Sequence, residues 1–197
     1  MTIIDRIKHH FNESIQAKID TADQLLPIIA TAAERIAQCL LDGHKVMVCG
    51  NGSSAAIGLH LTGKMLNRFK HERPGLPAIS LNSDIAAMTA IANDFDYTDI
   101  FSKQIRALGQ TGDVLVAITT QGNSANMLSA VKAAHHRNMN VVAMTGHDGG
   151  KMATVLQDSD IEVRVPSADM PRVQETHFLI VHCICDIIDF QLFDHEA

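Results

Sequence analysis

The stretch Val46–Ala55 constrains this chain most, because an apolar run ends there in a glycine-rich turn. The apolar residues 46–49 predict a short buried strand. Gly50 and Gly52 permit a sharp turn and a close approach of a ligand to the backbone. Two serines follow at the predicted start of a helix, where free N–H groups and the helix dipole favour an anion. The sequence therefore predicts a phosphate-binding turn.

A second polar turn, residues 119–124, follows the apolar and β-branched run 114–118. Its sequence, Thr-Thr-Gln-Gly-Asn-Ser, supplies hydroxyl and amide groups. Both turns follow predicted parallel strands, and ligands of open α/β sheets bind beyond the carboxyl ends of such strands. We therefore expect the two turns to contact one phosphate group.

Predicted strands and helices alternate along the chain after residue 43. Strands are predicted at 46–49, 78–81, 114–118, 141–145 and 161–165, and helices at 53–69, 84–92, 99–108, 125–136 and 171–193. Continuous apolar strands between helices are typical of a parallel sheet that is covered on both faces. The predicted fold class is α/β, a five-stranded parallel sheet flanked by helices in a flavodoxin-like three-layer sandwich.

The N-terminal region, residues 1–42, has helical spacing with an apolar stripe and predicts one or two helices. Asp20–Asp23 is a candidate interruption between them. A length of 197 residues suits one domain, which we divide into N-terminal helices (1–42) and an α/β core (43–197). The N-terminal helices are expected either in oligomer contacts or packed on their own domain, and we favour the first.

Composition excludes several classes of function. The net charge of −6 argues against direct nucleic-acid binding, and a chain with no Trp and one Tyr is poorly equipped to stack bases. The N-terminus lacks the apolar core of a signal peptide, and we expect no membrane-spanning segment. A cytoplasmic protein is therefore predicted, with its four cysteines reduced.

The first turn also fits a loose dinucleotide fingerprint, because Gly50 and Gly52 are followed by Ala55. That fingerprint expects an acidic residue at the end of the next strand. The next predicted strand ends at Leu81, and Asp84 comes later than expected. A dinucleotide site also leaves the second polar turn without a role. A phosphosugar is therefore favoured over a dinucleotide.

Together, these turns resemble those of the sugar isomerase (SIS) domain family, and the resemblance covers nearly the whole chain. Further stretches are similar to its phosphoheptose isomerase branch: Ile91-Ala92-Asn93-Asp94, Phe101-Ser102-Lys103-Gln104, Gly122-Asn123-Ser124-Ala125-Asn126, Thr145-Gly146 with Asp148-Gly149-Gly150, and Arg172-Val173-Gln174-Glu175-Thr176-His177. The resemblance implies an α/β domain that binds phosphosugars. It also implies a homotetramer with N-terminal helices and active sites at subunit contacts.

Phosphosugar contacts are expected from both turns and from the positions that match the family. These residues are Asn51, Gly52, Ser53, Ser54, Arg68, Asn93, Asp94, Thr119, Thr120, Gln121, Ser124 and Gln174. Ser53, Ser54, Thr120 and Ser124 could also serve only as helix caps. Their joint placement at two strand ends favours phosphate contact.

The resemblance also implies catalytic and metal-binding positions. In the family, a His and a Glu four residues apart and a Gln and a His eight apart perform an aldose–ketose isomerisation and bind zinc. His60, Gln174 and His182 match three of these positions. The Glu position is Lys64.

Lys64 weakens both expectations, because a protonated lysine is neither a base nor a metal ligand. Two unit charges about 4 Å apart at an effective dielectric near 20 interact by about 4 kcal/mol, and a divalent cation doubles the repulsion. We therefore expect no cofactor, with zinc expected only if the chain is an isomerase. Alternatively, Lys64 simply holds an anionic ligand.

These features predict a regulator rather than an enzyme. The SIS family has a branch that associates with the replication initiator DnaA and lacks the carboxylate at the Lys64 position. We expect this chain to be such a phosphosugar-binding, tetrameric regulator of replication initiation, with DnaA as its partner. The alternative is a phosphoheptose isomerase that converts sedoheptulose 7-phosphate to a heptose 7-phosphate for lipopolysaccharide synthesis. Leu192 and Phe193 are the predicted contacts with a protein partner.

Overall fold

The structure is a computed structural model, and it describes residues 1–193. The elements are α1 (Ile3–Leu41), β1 (Val46–Gly50), α2 (Ser53–Leu66), β2 (Ala78–Ser80), α3 (Ile85–Asp94), α4 (Ser102–Leu108), β3 (Val114–Ile118), α5 (Ala125–His136), β4 (Asn140–Gly146), β5 (Ile161–Val165) and α6 (Met170–Phe193). Two short 3-10 helices, Tyr97–Asp99 and Gly150–Thr154, lie between them.

The five strands form one parallel sheet in the order β2-β1-β3-β4-β5. The side chains of each strand alternate between two hydrophobic clusters. One cluster includes Val46 and Val48 and packs the sheet against α1, α2 and α6. The other includes Met47 and Cys49 and packs it against α4 and α5. The predicted α/β sandwich with helices on both faces is confirmed.

Helix α1 is continuous through Asp20–Asp23, so the predicted interruption there is wrong. Its buried residues Ala17, Thr21, Leu25 and Ile29 recur every fourth position and pass through this segment. That buried stripe outweighs the weak helix propensity of the polar residues. Pro27 is exposed within the same helix, on the side away from the core.

Helix α2 ends at Leu66 and not near residue 69 as predicted. The guanidinium of Arg73 donates to the carbonyls of Lys64 and Met65 at 3.0 and 2.9 Å. These bonds satisfy carbonyl groups that a further helical turn would otherwise use. Arg68 therefore lies beyond the end of the helix. The four-residue spacing had predicted that it shares a helical face with His60 and Lys64, and this prediction is wrong.

Helix α6 is long and apolar enough to cross a membrane by length and composition alone. No segment of this length and hydropathy was expected from the sequence, and residues 170–193 differ from that expectation. One face of α6 packs against α1, α2 and the sheet, and the helix carries the buried polar residues Arg172, His177 and Asp189. These features are those of a core helix.

The loop after β3 depends on a glycine with a left-handed backbone. Gly122 has φ +68°, and a Cβ there would lie 1.9 Å from the carbonyl oxygen of Gly149. Gly122→Ala is therefore expected to lower the free energy of unfolding by at least about 2 kcal/mol.

Urea unfolding of Gly122→Ala and of Gly63→Ala measures this cost against a matched control. Gly63 lies inside α2, and a Cβ there meets nothing within 4 Å. Gly63→Ala is expected to raise stability by about 0.5–1 kcal/mol. Equal stability of wild type and Gly122→Ala would contradict the close packing of the two loops.

Candidate functional site

The two polar turns meet at the point where the sheet order reverses. β1 lies between β2 and β3, and Gly50 is in register with Ile118 at the carboxyl ends of β1 and β3. The amides of Asn51 and Asn126 bond each other reciprocally at 2.9 and 2.8 Å, which joins the two turns. The two turns are therefore adjacent at the switch point, where ligands of open α/β sheets bind.

The first turn is held tightly by its neighbours. The amide of Asn82 accepts from the N–H of Gly50 at 3.2 Å and donates to its carbonyl at 3.0 Å. A Cβ on Gly50 would lie 2.7 Å from the backbone of Ser54. Gly52, with φ +55°, precedes α2, whose N-terminus has no side-chain cap. The N–H groups of Ser54 and Ala55 donate to the carbonyl oxygens of Asn51 and Gly52, both at 3.0 Å, so the N–H group of Ser53 is the one left for an anion.

The second turn presents fewer free groups than predicted. Thr119 is buried, and its hydroxyl accepts from the N–H of Gly122 at 3.2 Å. Thr120 and Ser124 are half-buried and Gln121 is exposed. Ser124 directly precedes α5, and its side chain makes no capping hydrogen bond. Its hydroxyl is therefore free for a ligand.

A groove runs from the first turn between α2 and α6. It opens into a cavity of about 500 Å³ lined by Lys18, Ser53, Ala56, Ile57, Gln174, Glu175 and Phe178. The α6 residues Gln174, Phe178 and His182 follow at intervals of four and therefore share one face. We refer to this feature as the α2/α6 groove. Of the predicted catalytic residues, Gln174 lines this groove, and Phe178 lies between its lining and the two histidines.

His60 of α2 and His182 of α6 meet between these two helices, beside the phenyl ring of Phe178, which lines the groove. Their Nε2 atoms are 3.0 Å apart. The ring of Phe178 lies 4.5 Å from the His60 ring and 5.3 Å from the His182 ring. Burial lowers the pKa of His60, and the neighbouring His182 and Lys64 lower it further. His60 is therefore neutral at pH 7 and able to accept a proton.

These residues do not fit a zinc ion. Zinc sites in proteins are built from Cys, His and carboxylate ligands. No group of three or more such residues that could hold a metal occurs within residues 1–193. The groove offers two imidazoles and the amide of Gln174, with the cationic Lys64 one turn from His60. The described residues therefore lack the carboxylate or thiolate ligand that would complete a zinc site beside the two imidazoles.

Other predicted ligands lie at different places in the fold. Asn93 and Asp94 are exposed at the end of α3, where the Asn93 amide donates to Asp94 at 2.9 Å. Tyr97, three residues on, donates to Asn51 at 3.3 Å and places this segment beside the first turn. Arg68 is exposed beyond the far end of α2. At 1.5 Å per residue, α2 separates it from Ser53 by about 20 Å.

Sequence reasoning missed several residues that build the site. Asn82, Asn126 and Tyr97 fix the two turns, and Phe178 covers the histidine pair. Asn126 lies in the motif Gly122–Asn126, which resembles the family but does not by itself indicate a contact with Asn51. Lys18 gave no signal, because it lies in a helix far from both turns in sequence.

Leu192 and Phe193 are half-buried and pack against the core. The guanidinium of Arg73 lies 5.8 Å from the Phe193 ring. The two residues therefore complete the packing of α6. The residues that follow them, 194–197, lie outside the described part of the chain.

Comparison with known proteins identifies the family. The SIS domain family model matches residues 10–146. The chain belongs to the SIS domain family. It is 52% identical to the phosphoheptose isomerase of Chromohalobacter salexigens over 193 residues, 98% of each chain. It is 53% identical to that of Coxiella burnetii over 192 residues, 98% of this chain and 96% of the relative.

Solved structures of phosphoheptose isomerases are similar to this chain in both fold and sequence. A phosphoheptose isomerase from Francisella tularensis has a TM-score of 0.94 and 53% identity, covering 96% of this chain and 99% of its own. Phosphoheptose isomerase GmhA from Neisseria gonorrhoeae has a TM-score of 0.91 and 47% identity, covering 95% and 99%. These SIS domains share the fold of this chain along nearly its whole length.

The relatives contradict the prediction of a DnaA-associating regulator of replication. The similar proteins are phosphoheptose isomerases, which supports the alternative interpretation. The prediction gave one substitution, Lys64, more weight than the similarity of the remaining chain. The nomination of Leu192 and Phe193 as DnaA contacts loses its basis with it.

His177 makes the stability of this SIS domain sensitive to acid. Its Nε2 bonds the carbonyl oxygen of Thr145 at 2.9 Å, and burial lowers its pKa to about 4. The unfolded chain binds a proton near pH 6.5, whereas the folded chain does not until about pH 4. The contribution of His177 to the free energy of unfolding is therefore fully present above pH 6.5. It decreases by about 1.4 kcal/mol per pH unit as the pH falls from 6.5 toward 4.

Urea unfolding between pH 7 and pH 4 tests this slope. His177→Gln keeps an N–H donor but does not titrate, so we expect a shallower loss of stability in acid. His9→Gln, an exposed substitution on α1, is expected to retain the wild-type slope. Identical slopes for all three proteins would show that His177 is not the titrating group.

Proposed function

We propose that this chain is a phosphoheptose isomerase that interconverts sedoheptulose 7-phosphate and a heptose 7-phosphate. The observation that carries the proposal is the His60–His182 pair, which lies between α2 and α6 against Phe178, a residue that lines the groove beginning at the first turn. His60 lies seven positions after Ser53 along α2, which corresponds to a rise of about 10 Å. An extended seven-carbon sugar phosphate has its reactive carbons and its phosphate at opposite ends. Such a substrate suits this separation.

The phosphate is assigned to the turn end of the groove. The N–H group of Ser53 and the hydroxyls of Ser53 and Ser124 are its donors, and Gln174 contacts the sugar from α6. Thr120 and Gln121 line the second turn. Ser54 and Thr119 are buried, so we assign them to the packing of the two turns and not to direct ligand contact.

Proton transfer is assigned to the histidine pair. A neutral imidazole accepts a proton from C1 of the ketose, and a proton is then added at C2. The hydroxyl proton moves from O1 to O2, so that the aldose forms without net gain or loss of protons. His60 is poised for this role by its lowered pKa, and its contact with His182 provides a partner for the shared proton.

Lys64 has a role in the same chemistry. The enediolate intermediate carries negative charge on an oxygen, and a fixed cation lowers the energy of such a charge. Lys64 lies one turn after His60 and acts on its pKa electrostatically. We assign to its ammonium the stabilisation of this oxygen, in place of a metal.

We also propose that four copies of this chain assemble as a homotetramer. The apolar residues Ile4, Ile7, Phe11, Ile15 and Ile19 form an exposed stripe on the first half of α1. The accessible surface of 9949 Å² exceeds the value of about 9,100 Å² expected for a monomer of this mass. A second copy would cover the stripe and would allow Arg68 to reach a neighbouring site. The cytoplasm, where sugar phosphates are retained, is the proposed location.

Turnover of sedoheptulose 7-phosphate, followed by NMR, tests the reaction. Wild type is expected to form aldose 7-phosphate, and His60→Asn is expected to lower kcat by at least about 100-fold because the base is lost. His136→Asn, an exposed change at the end of α5, is the matched control and should retain wild-type turnover. Absence of product from the wild type would contradict the proposal.

Chelation distinguishes a lysine from a metal as the electrostatic catalyst. Because the described ligands do not fit zinc, dialysis against EDTA is expected to leave turnover unchanged. Lys64→Glu supplies the missing carboxylate, so added zinc is expected to change the turnover of this variant only. Loss of wild-type turnover on dialysis, with recovery on zinc addition, would contradict the assignment of Lys64.

A further inference from the structure

The cavity at the turn end of the α2/α6 groove has three helical walls. Ser53, Ala56 and Ile57 come from α2, and Gln174, Glu175 and Phe178 from α6. The third wall is α1, which contributes Lys18. Lys18 and Glu175 are the charged residues of this lining. Of these two, only Lys18 has the charge that attracts a phosphate.

The charge of Lys18 has no counter-ion in the described chain. Its ammonium donates to the hydroxyl of Ser14 at 2.6 Å, and it forms no ion pair within residues 1–193. Glu175, across the cavity, is instead paired with the guanidinium of Arg172 at 2.9 Å. A half-buried cation beside a cavity, bonded only to a neutral hydroxyl, is suited to hold an anion.

Packing fixes α1 in this position. Ala17 and Thr21 are buried on either side of Lys18 in sequence, so the side chain leaves the helix at the edge of the packed face. Arg172 donates to the carbonyl oxygen of His10 at 2.5 Å and ties the helix to α6 one turn before Ser14. The Ser14 hydroxyl then orients the ammonium. Two contacts therefore fix the part of α1 that carries Lys18: the burial of Ala17 and Thr21, and the hydrogen bond from Arg172 to His10.

We propose that Lys18 is a ligand for the phosphate group of the substrate and determines the preference for phosphorylated over neutral sugars. The inference rests on the proposed function, because it assigns the phosphate to the same cavity. The turn itself offers N–H and hydroxyl donors, which are neutral and also bind sugar hydroxyls. Lys18 adds a formal positive charge, which distinguishes a phosphate monoester from an alcohol.

Binding of three ligands to Lys18→Met and wild type tests this inference. The ligands are sedoheptulose 7-phosphate, inorganic phosphate and unphosphorylated sedoheptulose, each measured by titration calorimetry. Loss of a charge-assisted hydrogen bond is expected to weaken the two phosphate-bearing ligands by at least about tenfold and to leave the neutral sugar unchanged. Lys18→Arg keeps the charge and is expected to recover most of the affinity.

Lys8→Met is the matched control, since Lys8 is an exposed lysine on the same helix. It is expected to bind all three ligands as wild type does. The Tm of each variant shows whether the helix remains packed, and Lys18→Gln replaces Lys18→Met if the latter is destabilised.

The outcomes separate this inference from the proposed function. If wild type and Lys18→Met bind sedoheptulose 7-phosphate equally well, the role of Lys18 is wrong and the phosphosugar site stands. If all three ligands weaken equally in Lys18→Met, the lysine shapes the cavity and does not select phosphate, which also overturns the inference. If wild type binds no phosphate-bearing ligand, the proposed function and the inference both fail.

Discussion

The parallel pairing of β1 with β3 is the constraint on which the site depends. It brings the carboxyl ends of two strands that are far apart in sequence to one edge of the sheet. The reciprocal amide contact of Asn51 and Asn126 then fixes the turns relative to each other. The same pairing places the N-terminus of α2 at this edge, where the positive end of the helix dipole and the N–H group of Ser53 favour an anion.

The far end of the groove depends on a second set of contacts. Arg73 bonds Asp189 of α6 at 2.6 Å and also donates to the last carbonyls of α2. Both side chains of this ion pair are almost fully buried, so the geometry of the two helices is fixed where they run beyond the histidines. His60 and His182 thereby meet at a defined distance, and the position of Lys64 follows from the same helix end.

The sequence predicted most of the fold, because the central strands β1 and β3 and most of β4 are continuous apolar runs and each phosphate-type turn contains glycine. The sequence-based predictions were wrong where tertiary contacts determine the length and the end of a helix. The buried stripe of α1 carries the helix through residues 20–23, and Arg73 ends α2 before Arg68. In the site, the histidine pair followed from family positions, whereas Lys18 enters from a helix that no motif connects to the turn. The similarity of nearly the whole chain to phosphoheptose isomerases outweighs the single substitution at Lys64 as a guide to function.

A crystal structure of the chain with sedoheptulose 7-phosphate tests the central claim most directly. The account predicts the phosphate at the N-terminus of α2, between Ser53 and the second turn. It also predicts the first two carbons within hydrogen-bonding reach of His60 or His182. A phosphate bound against Lys64 and the histidine pair, with the sugar extending toward the turn, would reverse the orientation and contradict the account.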